Sequence, residues 1–156
     1  MKDEDVKIIN HEIRELEISI EVQEGFFNNL LNSESDWSFI IKLHAFLEAG
    51  CTVLITKALG KDELTDVISR LEMSGNDYGK TIFISRLSLL SKGAINYIRK
   101  LSMIRNYYVH NLINISLSLE DYVKTMDKNQ RDNFVTSIGY DMAEDFKIGE
   151  LLIRVC

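Results

Sequence analysis

At 156 residues the chain is long enough for one domain around one core, and 46% apolar with 27% charged residues is an ordinary composition for a folded globular chain. The complete absence of proline argues against a turn-rich β protein and for long helices with short connections. A net charge of −6 excludes a generic polyanion binder, which would be basic throughout.

No unbroken apolar run approaches the roughly 18 residues of a membrane span, and the acidic start Met1-Lys2-Asp3-Glu4-Asp5 lacks the apolar core of a signal peptide. Cys51 and Cys156 are too far apart for a metal or redox motif, and Cys51 sits in an apolar run as a small core residue. These features point to a cytoplasmic, reduced protein with no cofactor and no metal.

In chain order, residues 3–32 read as one long helix. Val6, Ile9, Ile13, Leu16 and Ile20 form a heptad-like seam, interrupted at Gln23 and resumed at Phe27 and Leu30. That seam fits either the protein's own helices or a partner helix in a dimer. Ser35 is a good N-cap for a second helix over 35–59, with Gly60 at the C′ position. Ile40, Leu43, Phe46, Leu47, Val53 and Leu54 make it apolar on more than one side, as a central helix would be. A shorter helix is expected over 62–73, then a turn-rich loop over 74–79, then a helix over 80–90 broken by Gly93. A further helix follows over 94–113. Ser118 and Asp121 have capping-box spacing and open a helix over 118–126. Residues 129–156 read as helix with breaks at Gly139 and Gly149. The expected fold is all-α, a bundle of about five to seven helices forming one domain over 1–156.

Charge is unevenly spread. Between Lys80 and Leu119 there are six basic residues (Lys80, Arg86, Lys92, Arg99, Lys100, Arg105) and no acid, so the segment is +6 while the remainder is −12. A localised anion site follows from that pattern. On an ideal helix Ala94, Tyr97, Ile98, Leu101, Ile104, Tyr108, Val109 and Leu112 share a core stripe. Arg99, Asn106 and His110 share another face, flanked by Met103 and Tyr107, and Arg105 falls at the edge of the stripe. A guanidinium there must reach water, a carboxylate or a phosphate. In the first reading Arg105 binds phosphate, His110 transfers protons, Asn106 orients the histidine or the substrate, and Tyr107 with Tyr97 or Tyr108 stacks on a base. In the second, Arg105 pairs with a carboxylate such as Glu48, and Tyr97 and Tyr108 are core aromatics.

The run Arg105-Asn106-x3-His110 resembles the R-x4–6-H signature of the HEPN superfamily, including the polar residue after the arginine. Phe46-Leu47-Glu48-Ala49-Gly50-Cys51, Tyr78-Gly79-Lys80-Thr81-Ile82 and Ile104-Arg105-Asn106 to His110 are similar to the mannitol repressor branch, over about residues 37–112. The resemblance implies a metal-independent endoribonuclease of the toxin or antiviral-defence kind. It would leave 2′,3′-cyclic phosphate and 5′-OH ends, with Arg105, His110 and Asn106 as catalytic residues. Arg99, Lys100, Tyr107, Lys80 and Arg86 would bind RNA. It also implies a homodimer with a composite site, partners limited to RNA and an antitoxin or regulatory protein, and no membrane or DNA. The alternative implied is a non-catalytic mannitol repressor-like regulator or interaction module.

Four other patterns read as structural. Gly75-x3-Gly79-Lys80-Thr81 has one residue too few between its glycines for a phosphate-binding loop, so Gly79 starts a helix. His11-Glu12-Ile13-Arg14-Glu15 lacks the second histidine of a zinc-protease motif. His44 and Glu48, at i and i+4, read as a hydrogen-bonded pair rather than metal ligands. Asp141, Glu144 and Asp145 read as a solvated acidic face.

Overall fold

The computed structural model describes residues 3–75 and 77–138, with side-chain surroundings given for 8–75, 77–134 and 136. Among the described residues there are eight α-helices and no strand, so the all-α expectation holds. They are α1 (Asp3–Ser19), α2 (Phe26–Leu31), α3 (Asp36–Leu59), α4 (Thr65–Ser69), α5 (Lys80–Arg86), α6 (Lys92–Val109), α7 (Leu119–Lys124) and α8 (Lys128–Ile138). Single 3-10 turns cover Asp62–Leu64 and Leu112–Ser116. The expected breaks at Gly139 and Gly149, the acidic cluster at Asp141, Glu144 and Asp145, and Cys156 lie outside the described residues.

The centre is an antiparallel pair. Cys51 and Ile55, late in α3, join Ile95 and Ile98, early in α6, in one buried cluster with Ile68, Met73 and Ile84. Ile40, early in α3, joins Leu101, Ile104 and Tyr108 of α6 in a second, against which the partly buried Trp37, Leu119, Tyr122 and Phe134 pack. Each buried isoleucine or leucine contributes roughly 1.5–3 kcal/mol relative to an exposed one. Between the clusters lies a polar layer. Buried His44 of α3 meets Ser102 of α6, Nε2 to Oγ, at 3.2 Å. Ser102 Oγ donates to the Ile98 carbonyl at 3.0 Å, so it accepts from His44, and the neutral imidazole carries its proton on Nε2.

α3 spans the length expected, with Ser35 Oγ accepting from the Ser38 N–H and Gly60 closing the C-terminus. By length and composition it is apolar enough to cross a membrane, with a mean hydropathy of 1.6 over its most apolar 18 residues, a property that core helices share. Its contacts with α2, α4, α5 and α6 make it the helix on which most of the others pack.

Several expected boundaries are corrected. The helix expected over 3–32 is two. Glu21 takes a left-handed φ of 56°, and the Val22 N–H reaches back to the Glu17 carbonyl at 3.0 Å, ending α1 in a Schellman-type cap. The buried Glu17 carboxylate then accepts from the N–H groups of Gly25 (2.8 Å) and Phe27 (2.9 Å), supplying α2 with a cap from a different helix. Gly25, at φ 83°, makes the reversal. The helix expected over 80–90 stops at Arg86 in the same manner, with Ser88 at φ 54° and the Leu89 N–H on the Ile84 carbonyl. Gly93 does not break the chain but lies inside α6, whose cap is Ser91. The segment expected as helix over 62–73 is a 3-10 turn followed by the short α4.

α6 ends at Val109, short of the expected 113, because side-chain amides take over from the helix ladder. Buried Asn114 donates from Nδ2 to the Tyr107 carbonyl at 2.8 Å, and Asn111 Oδ1 accepts from the Ile113 N–H. Leu112 is therefore 82% exposed rather than part of the core stripe. The expected capping box is present, Ser118 and Asp121 satisfying each other's backbone N–H groups. The Leu119 N–H of α7 is also held by Asp36 Oδ2 from α3, at 2.7 Å.

Candidate anion-binding site at the end of α6

The segment from Lys92 to His110 presents four cations and no acid. Arg105 is half-buried at the edge of the α3–α6 seam, where the helix map places it. Its guanidinium donates to its neighbour Asn106 Oδ1 at 3.0 Å. Among the described residues Arg105 forms no ion pair. The carboxylate expected as its alternative partner, Glu48, is occupied elsewhere: Glu48 Oε1 lies 3.0 Å from Lys80 Nζ, and Oε2 lies 3.8 Å from His44 Nδ1. The pairing of Arg105 with Glu48 is thus corrected. Its charge is still felt across the seam. Burial first, then the positive charges of Arg105 and Lys80, hold the His44 pKa below its ordinary value, with Glu48 opposing them.

Asn106 and His110 are exposed on the face beside Arg105. Asn106 holds Arg105 through its side chain and accepts the His110 backbone N–H at 3.1 Å through its carbonyl. It thus positions the guanidinium rather than the imidazole. His110 is the C-cap residue of α6, so its side chain leaves the helix just where the chain turns away.

The residues expected to bind RNA divide. Arg99 is exposed on the face shared with Asn106 and His110, and Lys100 and Tyr107 line a groove against α7 and α8. Arg86 is exposed in the last turn of α5, where a cation also complements the helix dipole. Lys80 is a correction. It is 0% exposed, and its ammonium donates to Glu48 Oε1, the Ser69 carbonyl and the Leu71 carbonyl, which uses all three donors. It therefore caps the C-terminal end of α4 and cannot reach a phosphate.

The glycine pair before it is equally structural. Gly79 has φ 137°, and a Cβ there would come within 2.8 Å of the Gly75 nitrogen and 2.9 Å of the Glu72 carbonyl oxygen. The N–H groups of Lys80 and Thr81 bond the carbonyls of Glu72 (2.8 Å) and Met73 (3.0 Å), leaving no phosphate cradle. Tyr108 and Tyr97 prove to be core aromatics. Tyr108 is 0% exposed and donates to the Leu117 carbonyl at 3.1 Å, while burial first and then nearby charges push its hydroxyl up to about 12. Burial likewise raises the Tyr97 pKa. Among the described residues no three His, Cys, Asp or Glu side chains gather in a way that could hold a metal ion.

Sequence reasoning missed two features near the site. One is the His44–Ser102 layer, whose members are 58 residues apart. The other is the opposite wall of the Lys100–Tyr107 groove, contributed by Tyr122, Met126 and Phe134. No local pattern announces either. Neither a protein family, nor a curated protein, nor a solved structure matches this chain.

Proposed function

We propose that the chain is a HEPN-like, metal-independent endoribonuclease acting as a homodimer. The observation that supports this best is an arginine at the edge of the core that pairs with no carboxylate among the described residues, five positions before an exposed histidine, on a helix that carries no acidic residue. A guanidinium held by an amide rather than neutralised keeps its fork for an oxyanion. In the reaction the RNA 2′-OH loses its proton and attacks the adjacent phosphorus. The bond to the 5′ oxygen breaks, and that oxygen takes up a proton. His110 serves these proton transfers, and Arg105 stabilises the charge of the pentacoordinate phosphate.

The test is cleavage of single-stranded RNA by purified protein in EDTA, with the new ends analysed for 2′,3′-cyclic phosphate. Arg105→Lys and His110→Ala should each lower the rate at least about 100-fold, the scale of one general acid–base or oxyanion contact, while melting and association stay unchanged. Absence of cleavage, and of any growth defect on expression, would reject the reading.

A second reading is a non-catalytic regulator or interaction module, of the mannitol repressor-like kind. Exposed apolar surface on α1 supports it, since Ile8, Ile9 and Ile18 face solvent and α1 packs chiefly against α2. Under that reading His110→Ala leaves function intact or affects only oligomerisation.

A further inference from the structure

Beside the motif face, α6, α7 and α8 enclose a groove of about 320 Å³. This is near the lower limit of ligand clefts, roughly 300–1,000 Å³. Tyr107 of α6 and Tyr122 of α7 have ring centroids 4.6 Å apart at 54°, and Phe134 of α8 follows at 6.0 Å and 68° from Tyr122. The rings pack on one another at these angles, and all three remain only partly buried where they line the groove. Met103 and Met126 add soft, polarisable surface, and among the described residues lining the groove Lys100 alone is charged. Lys100, Met103 and Tyr107 occupy one stripe of α6. Met103 also borders the face of Arg99, Asn106 and His110, so the groove adjoins the motif.

We infer that this groove seats one base of a single-stranded RNA, packed against the rings of Tyr107 and Tyr122, with its phosphate drawn to Lys100. The chemistry is that of single-strand binders, which combine aromatic platforms for any base with cations along the backbone. With Lys80 neutralised by Glu48, the other five cations of the acid-free segment, Arg86, Lys92, Arg99, Lys100 and Arg105, supply the matching field for a polyanion. The polymer's identity rests on the ribonuclease reading. The groove adds the statement that the nucleotide next to the scissile bond is held by packing against these rings and by one ion pair.

The experiment uses His110→Ala as the common background, to prevent cleavage, and a fluorescein-labelled 12-nucleotide single-stranded RNA followed by anisotropy. Tyr107→Leu and Tyr122→Leu should each weaken binding roughly five- to hundredfold, and Tyr107→Phe should restore it to within about threefold. Lys100→Gln should lower the slope of log affinity against log salt by about 0.7, as expected for one lost phosphate contact on a single strand. Lys100 and the Phe variant keep the test valid if a leucine variant fails to fold. Binding unaltered by Lys100→Gln and by the folded leucine variants overturns the groove while leaving ribonuclease activity standing. Tyrosine-dependent binding by a native protein that cleaves nothing leaves the groove standing and removes the catalysis. No binding by the parent overturns the groove.

Discussion

Lys80 holds a positive charge in a fully enclosed position, where an unpartnered ammonium would cost several kcal/mol. Its three acceptors come from three places in the chain: Glu48 in α3, Ser69 at the end of α4, and Leu71 beyond it. Lys80→Met should leave two carbonyls and a half-exposed carboxylate without a donor. A loss of about 2–4 kcal/mol is expected, read as a fall in the denaturant midpoint at constant m. His44 gives a pH dependence. Its pKa in the folded state is depressed, so the unfolded chain binds more protons as the histidine titrates. The stabilisation is complete above the ordinary histidine pKa of about 6.5 and is lost as pH falls below it toward the folded value. His44→Gln should flatten the dependence of melting temperature on pH between about 7 and 5, and an unchanged profile would exclude His44 as its source.

At the level of elements, the helix ends decide how much could be anticipated. The α3 boundaries were readable because Ser35 and Gly60 are the residue types that caps favour. The ends of α1 and α5 were not, because glutamate and serine occupy the left-handed position that glycine normally takes. Nothing in Glu21 or Ser88 as residue types marks a stop. The reversal is enforced by the Schellman-type bonds and, for α1, by the Glu17 carboxylate on the next helix. Ser88→Gly should therefore raise stability by about 0.5–1 kcal/mol in chemical denaturation. Glu17→Ala should lower it by about 1–2 kcal/mol, since two amides at the start of α2 lose their acceptor. The site followed the same logic. The placing of Arg105 at the edge of the stripe was legible from helical periodicity. Its freedom from Glu48 was not, because that depends on Lys80, 25 residues earlier in sequence, taking the carboxylate.

Over the whole molecule, charge and apolar surface are separated. The basic surface lies on α6, while α1 pairs an acidic sequence with an apolar seam that stays half-exposed at Ile9, Ile13 and Leu16. A seam of this kind suits a second helix, and the proposed homodimer gives it one. Ile9→Asp combined with Ile13→Asp should convert a dimer to a monomer in sedimentation velocity. The far-ultraviolet helical signal should fall little, because α1 contributes little to either core cluster. If the native chain already sediments as a monomer at micromolar concentration, the homodimer is rejected.

The knot of carbonyls around the 72–81 turn also sets a timescale. The amide protons of Lys80 and Thr81 are bonded to Glu72 and Met73, and the ammonium of Lys80 grips the end of α4 a few residues before them. Neither amide can meet solvent deuterium without undoing both links, so the two should exchange at one common rate, as a single opening unit. That rate should be slower than those of amides at the tip of the turn. With Lys80→Met the ammonium grip is gone, and the same pair should accelerate together while the amides of Leu101 and Ile104, in the other core cluster, keep their protection.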